Sequence, residues 1–186
     1  MTNVSNSTKV YELIDSKTGS NMLMQAISGV AGFPYTLLAD AGVIFTHYGP
    51  MLNEIRKIYG LNEIDSKVLA PIIKGCSTEI LSDLLLDKVI GQIPLIGIAA
   101  NVICAKAMTW RLGLMFAMVS AKGEDFTSEN VKKSCELIRT LFPQKNSVKF
   151  QKPSPVIVEK LLNTFNGCSA ETFNDKIEHI LDSLAN

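Results

Sequence analysis

At 186 residues the chain suits one domain with a modest appendage and is long enough to bury a sizeable core. Lys plus Arg and Asp plus Glu both number 18, so the net charge is zero and the excess of basic charge that draws a protein to nucleic acid is missing. Apolar residues make up 47% and charged residues only 19%, below the usual quarter, which makes the chain greasy for a globular protein.

The segment Met1 to Thr8 is polar and lacks the basic start and apolar stretch of a secretory signal. A cytoplasmic location is therefore expected, with residues 1–19 forming a polar N-terminal segment and a short helix. From 20 to 122 the pattern predicts a bundle of apolar helices broken by glycine and proline. Asn21 to Val30 shows no strand-like alternation and is ended by Gly32 and Pro34. Tyr35 to Tyr59 comes next, and its Gly49-Pro50 pair should kink the helix or split it, because proline cannot donate to the preceding turn. Gly60 closes it. Asn62 with Asp65 three residues on resembles a helix-start box, and Pro71 should kink the segment after it. Ser77 to Ile90 is amphipathic through Ile80, Leu81, Leu84 and Leu85. Gly91 and Pro94 mark a turn, after which a long helix runs from about Leu95 to Ala121.

Residues 122–186 hold half of all the charges, and 123–186 predict three amphipathic helices packed as an extension of the bundle. Thr127 or Ser128 can cap the first, since a hydroxyl there accepts a free first-turn N–H. Its apolar stripe is Val131, Cys135, Ile138 and Phe142, and Pro143 stops it. A mostly polar loop, Gln144 to Pro153, leads to Ser154-Pro155, a helix start with proline at the tolerated first position. Val158, Leu161, Leu162 and Phe165 share one face, and Gly167 ends the helix. Ser169 opens the last one, with Phe173, Ile177, Ile180, Leu181 and Leu184 expected inward. The fold class is thus all-α, a multi-helix bundle with kinked central apolar helices.

A membrane span needs roughly 20 apolar residues to cross about 30 Å of hydrocarbon. Gly19 to Ala39 is long enough but diluted by Gly, Ser, Asn, Gln and Pro. Val89 to Ala105 contains Gly91, Gln92, Pro94 and Asn101, and Lys106 and Arg111 interrupt its continuation. The favoured reading is buried central helices, with interfacial or re-entrant membrane contact as the other. Cys76, Cys104, Cys135 and Cys168 form no CxxC pair and read as reduced, mostly buried thiols. His47 and His179 are the only histidines and neither lies near a cysteine, so no metal and no cofactor is expected.

Two blocks resemble a known family. Phe33-Pro34-Tyr35-Thr36-Leu37-Leu38-Ala39-Asp40-Ala41, ending in Ile55-Arg56-Lys57-Ile58-Tyr59-Gly60, is similar to the proline–acidic–helix–tyrosine–glycine block of the bacterial helical family catalogued as domain of unknown function 697. Ile93-Pro94-Leu95-Ile96-Gly97, then Asn101, Ala107, Thr109 and Gly113, resembles its second block. The resemblance covers about residues 20–125 and implies association with Era-like GTPases, with some relatives in the inner membrane. The chain itself carries no GxxxxGK[ST], so it has no phosphate-cradling P-loop of its own.

Six residues stand out as interaction or structural-polar candidates. Asp40 is the one charge from Thr18 to Asn53, and a buried carboxylate must be capping, bonded, protonated or set in a groove. His47 lies seven residues on, about 10 Å away along a continuous helix, too far for a direct acid–base pair. Lys106 and Arg111 could pair with Asp40 or Asp87, reach a headgroup layer, or sit on a solvated face. Asn101 could bond across to a neighbouring helix. Thr109 belongs to the stripe Ala105, Thr109, Gly113, whose small residues allow close helix approach. No GxSxG, HExxH or acidic cluster occurs, so no catalytic residue is assigned and the chain reads as a non-enzyme. The expected function is a helical interaction module beside a GTPase or at the inner face of the membrane, with a protein partner, a membrane surface or a second copy as the bound body. The alternatives are a pore-forming protein soluble until triggered and a small-molecule carrier with a cavity between helices.

Overall fold

A computed structural model of the chain describes residues 4–19, 41–65, 67–69, 71–72, 75–76, 79–80, 94–123, 127–143 and 149–185, with the backbone alone at 41–47, 94–101, 104 and 128. The fold is all-α, and no strand occurs among the described residues. Six helices have defined limits: α1 (Asn6–Gly19), α2 (Ala41–Ile58), α3 (Pro94–Ala121), α4 (Ser128–Leu141), α5 (Pro155–Phe165) and α6 (Ala170–Ala185). Between α2 and α3, residues 67–69, 71–72, 75–76 and 79–80 are also helical.

The organising element is α3, 28 residues long. Every residue from Leu112 to Val119 is buried, so no side of this stretch faces water, as expected of a helix that is apolar all round. Around it pack α1, α2, α4 and α5, while α6 packs on α4 and α1 also touches α2 and α5. One apolar cluster joins them, from Val10 and Ile14 on α1 through Trp110 and Phe116 on α3 to Phe173 and Ile177 on α6. The predicted inward faces of α4 and α5 are found there: Val131, Cys135 and Ile138, then Val158, Leu161, Leu162 and Phe165. On α6 Phe173 and Ile177 are buried and Ile180 and Leu181 half-buried. Leu184 departs from expectation and is 50% exposed, because the helix runs past the end of the surface it covers.

Helix ends obey local chemistry. Thr127 caps α4, its hydroxyl accepting the Asn130 N–H at 3.2 Å. Gly60 takes φ +74° after α2; its N–H bonds the Lys57 carbonyl and that of Leu61 the Arg56 carbonyl, the paired bonds of a Schellman end. The helix-start box expected at Asn62 is corrected. Residues 61–65 are not helical, and the cap is Asp65, whose carboxylate accepts the Lys67 N–H at 2.7 Å. Asn62 instead gives its carbonyl to Arg56 Nε at 2.7 Å, and Asn53 pins the same loop by a bond each way with Ile64. The Gly49-Pro50 pair does not split α2, which runs unbroken through it; Pro50 is exposed, where water can serve the carbonyl its missing N–H leaves unbonded.

Candidate functional site

Three of the six candidates have described side chains, and all three lie on α3. Thr109 is fully buried and gives its hydroxyl proton to the Ala105 carbonyl one turn back, at 2.8 Å. Four residues on, Gly113 has α1 against it: a Cβ there would meet Cδ1 and Cγ1 of Ile14, both at 2.7 Å. Of the stripe of small residues, Gly113 is the one that lets α1 come close to α3. Tyr48 of α2 turns its buried hydroxyl toward Thr109 without a full hydrogen bond to it. Burial raises the Tyr48 pKa well above the ordinary tyrosine value, and the approach of Thr109 lowers it only slightly.

Arg111 is 2% exposed, so the solvated-face reading of this residue is set aside. Its guanidinium crosses the bundle, Nη1 donating to the Ile80 carbonyl and Nη2 to the Phe142 carbonyl at 3.1 Å. These acceptors lie in the helical residues before α3 and just after α4, so one planar fork joins three separate parts of the chain. The two carbonyl dipoles thereby stand in for water around the buried cation. Lys106 is half-buried and has no partner among the described residues. His47 and Asn101 belong to α2 and α3 by their backbones, but their side chains lie outside the described residues, as does Asp40 altogether.

Other polar contacts carry no sequence signal because each partner is distant along the chain. Tyr11 packs against Trp110 with ring centroids 5.0 Å apart and gives its hydroxyl proton to the Pro153 carbonyl at 3.1 Å. Lys152 lies over the Tyr11 ring and pairs with Asp15 at 2.7 Å. Together they latch α1 to the segment that enters α5. Lys176 reaches the Thr164 carbonyl at 2.9 Å and the Cys168 sulfur at 3.0 Å, joining α6 to α5. Aromatic size and a nearby lysine are visible in the sequence; their pairing requires the fold.

Two recesses are lined by described residues. One, of about 350 Å³, lies between α4 and the helical residues 71–72, 75–76 and 79, with Cys76, Glu79, Lys132 and Cys135 in its wall. The other, of about 150 Å³, is lined by Ser5, Asn6, Tyr59 and Asn163. Burial pushes the Tyr59 hydroxyl up to about 12. Among the described residues no group of three or more His, Cys, Asp or Glu could hold a metal ion.

The fold and these contacts define an all-α bundle built around one enclosed apolar helix. No protein-family model, curated protein or solved structure matches the chain.

Proposed function

We propose that this protein is a non-enzymatic helical interaction module, acting on a protein partner, a GTPase first, and peripheral to the inner face of the membrane. What carries the reading is how α3 uses Thr109 and Arg111, two of the polar residues buried on it. Thr109 serves its own helix and Arg111 ties three chain segments together, so their hydrogen-bonding capacity is spent on the bundle. Work on other molecules then falls to the outer faces of the surrounding helices. A peripheral place suits the apolar content, because no described helix is long and apolar enough to cross a membrane and the buried stretch of α3 is already covered by α1, α2, α4 and α5. The GTPase rests on the resemblance of the two sequence blocks.

The test is flotation of the purified, tag-free chain with anionic and neutral liposomes, run beside a binding titration against an Era-like GTPase in its GDP and GTP-analogue states. Nucleotide-dependent binding of a monodisperse protein, with or without flotation, is the expected result. Dye leakage from the vesicles would transfer the case to the pore-forming alternative, and a small molecule retained through purification would transfer it to the carrier. Indifference to both vesicles and GTPase would sink the proposal.

A further inference from the structure

Buried cysteines are common and usually inert, but two of these are not alone. Cys76, on the helical residues before α3, and Cys135, on α4, are distant in sequence and stand in the wall of the same 350 Å³ recess. Cys76 gives its thiol proton to the Ile72 carbonyl at 2.8 Å. Cys135 faces Cys76 across this wall, and the neighbouring thiol together with burial raises the Cys135 pKa. Both side chains are almost wholly covered, at 1% and 0% exposure, which leaves the recess as the way in for a reactant and admits only a small one. Arg139, one turn beyond Cys135, holds Glu79 at the same place, pairing with its carboxylate at 3.8 Å and donating to its carbonyl at 3.3 Å. An ion pair therefore stands beside the two thiols, its carboxylate acting on Cys135 more strongly than its cation.

We propose that Cys76 and Cys135 are a redox modification site: a peroxide entering the recess converts them to a reversible disulfide that fastens the helical residues 75–76 to α4. Cys76 attacks first, because the neighbouring Cys76 thiol and burial hold the proton on Cys135. Having released its proton to water, the Cys76 sulfur forms a bond to one peroxide oxygen. The O–O bond breaks and its electron pair leaves on hydroxide, which is protonated to water. Cys76 is then a sulfenic acid. The Cys135 sulfur next attacks the Cys76 sulfur, the S–O bond breaks, and the departing hydroxide takes up the Cys135 proton as a second water. Two thiols and one hydrogen peroxide become one disulfide and two waters, the sulfurs giving up the two electrons that the peroxide oxygens gain.

The reaction is read on the full chain, exposed to stepwise hydrogen peroxide, alkylated, and digested without reduction for mass spectrometry. The expected product is a cross-linked Cys76–Cys135 peptide, two hydrogens lighter than the separate peptides and returned to them by dithiothreitol. It should persist in Cys104→Ser and Cys168→Ser and vanish in Cys135→Ser, where Cys76 should instead run on to the sulfinic acid. Cys168, also buried but with no cysteine neighbour among the described residues, is the internal comparison. Both sulfurs still alkylatable after peroxide has modified Cys168, or Cys76 over-oxidised in the wild type without a cross-link, would overturn the site. The fastening is read separately. The oxidised protein should melt about 5 °C higher than the reduced one, since closing a loop of roughly 60 residues restricts the unfolded chain. An unchanged Tm would remove the fastening from the proposal.

Discussion

A Cβ placed on Gly113 would stand 2.7 Å from two carbons of Ile14, a side chain with no exposure. In an open helix, Gly→Ala gains about 1 kcal/mol through propensity. Here overpacking of about 1–3 kcal/mol opposes it, so Gly113→Ala should lower stability by about 1 kcal/mol in urea unfolding. In an Ile14→Ala background the clash is gone, and the same change should stabilise. A sign that stays negative in both backgrounds would mean that α1 does not set the requirement for glycine. Tyr48 offers a second reversal. Its buried hydroxyl lacks a full partner, so Tyr48→Phe should cost nothing at neutral pH or raise stability by up to about 1 kcal/mol. Above pH 10 the two proteins should separate further. The folded state raises this tyrosine's pKa above its ordinary value of 10.0, so the unfolded chain loses the proton first and stability falls as pH rises past that value. Tyr48→Phe should flatten that alkaline fall, leaving the smaller part due to Tyr59. An identical fall in both proteins, tracked by thermal melts between pH 8 and 12, would show that Tyr48 is not buried as described.

At the scale of elements, the two C-terminal helix starts that look alike in sequence are not alike. Thr127 bonds the Asn130 N–H, whereas Ser154 makes no side-chain cap bond and its helix relies on Pro155 at the first position. Thr127→Ala should therefore cost about 1 kcal/mol and Ser154→Ala a few tenths at most, by chemical denaturation. Equal losses would refute the distinction. Which faces turn inward was legible for α4 and α5, because a stripe repeating at helical spacing has only one way to be covered. Leu184 continues the same stripe on α6 yet is exposed, since periodicity says which side faces in but not where the covering surface ends. Arg111 was legible as an anomaly and illegible as a function: a cation in an apolar helix needs acceptors, but carbonyls at Ile80 and Phe142 carry no sequence signal. Removing the fork takes away the donors that serve those carbonyls. Arg111→Met should cost about 3 kcal/mol, and Arg111→Lys, with a charge but no planar fork, an intermediate amount. A Met variant as stable as the wild type would show that water reaches these carbonyls.

The same enclosure that makes α3 the core also decides how far it can take part in function. Its residues 112–119 are covered on every side, whereas α6 touches only α4 among the larger helix contacts and ends with Leu184 in water. Ion pairs such as Lys133 with Glu178, at 2.6 Å between α4 and α6, add little at an exposed surface. Local opening should therefore begin in α6 and reach α3 last. Native-state hydrogen exchange under increasing urea tests this order. Amides of 112–119 should exchange only with global unfolding and share its denaturant dependence, while the last two turns of α6 should exchange by local fraying. A bundle that opens in this order keeps its apolar helix hidden until it unfolds, and it meets partners through its outer faces. The reverse order, with α3 exposed in a partly open state while α4 and α5 stay closed, would give the chain an apolar helix it can release. The membrane-inserting alternative would then become the better account of why so apolar a segment is kept at the centre of the fold.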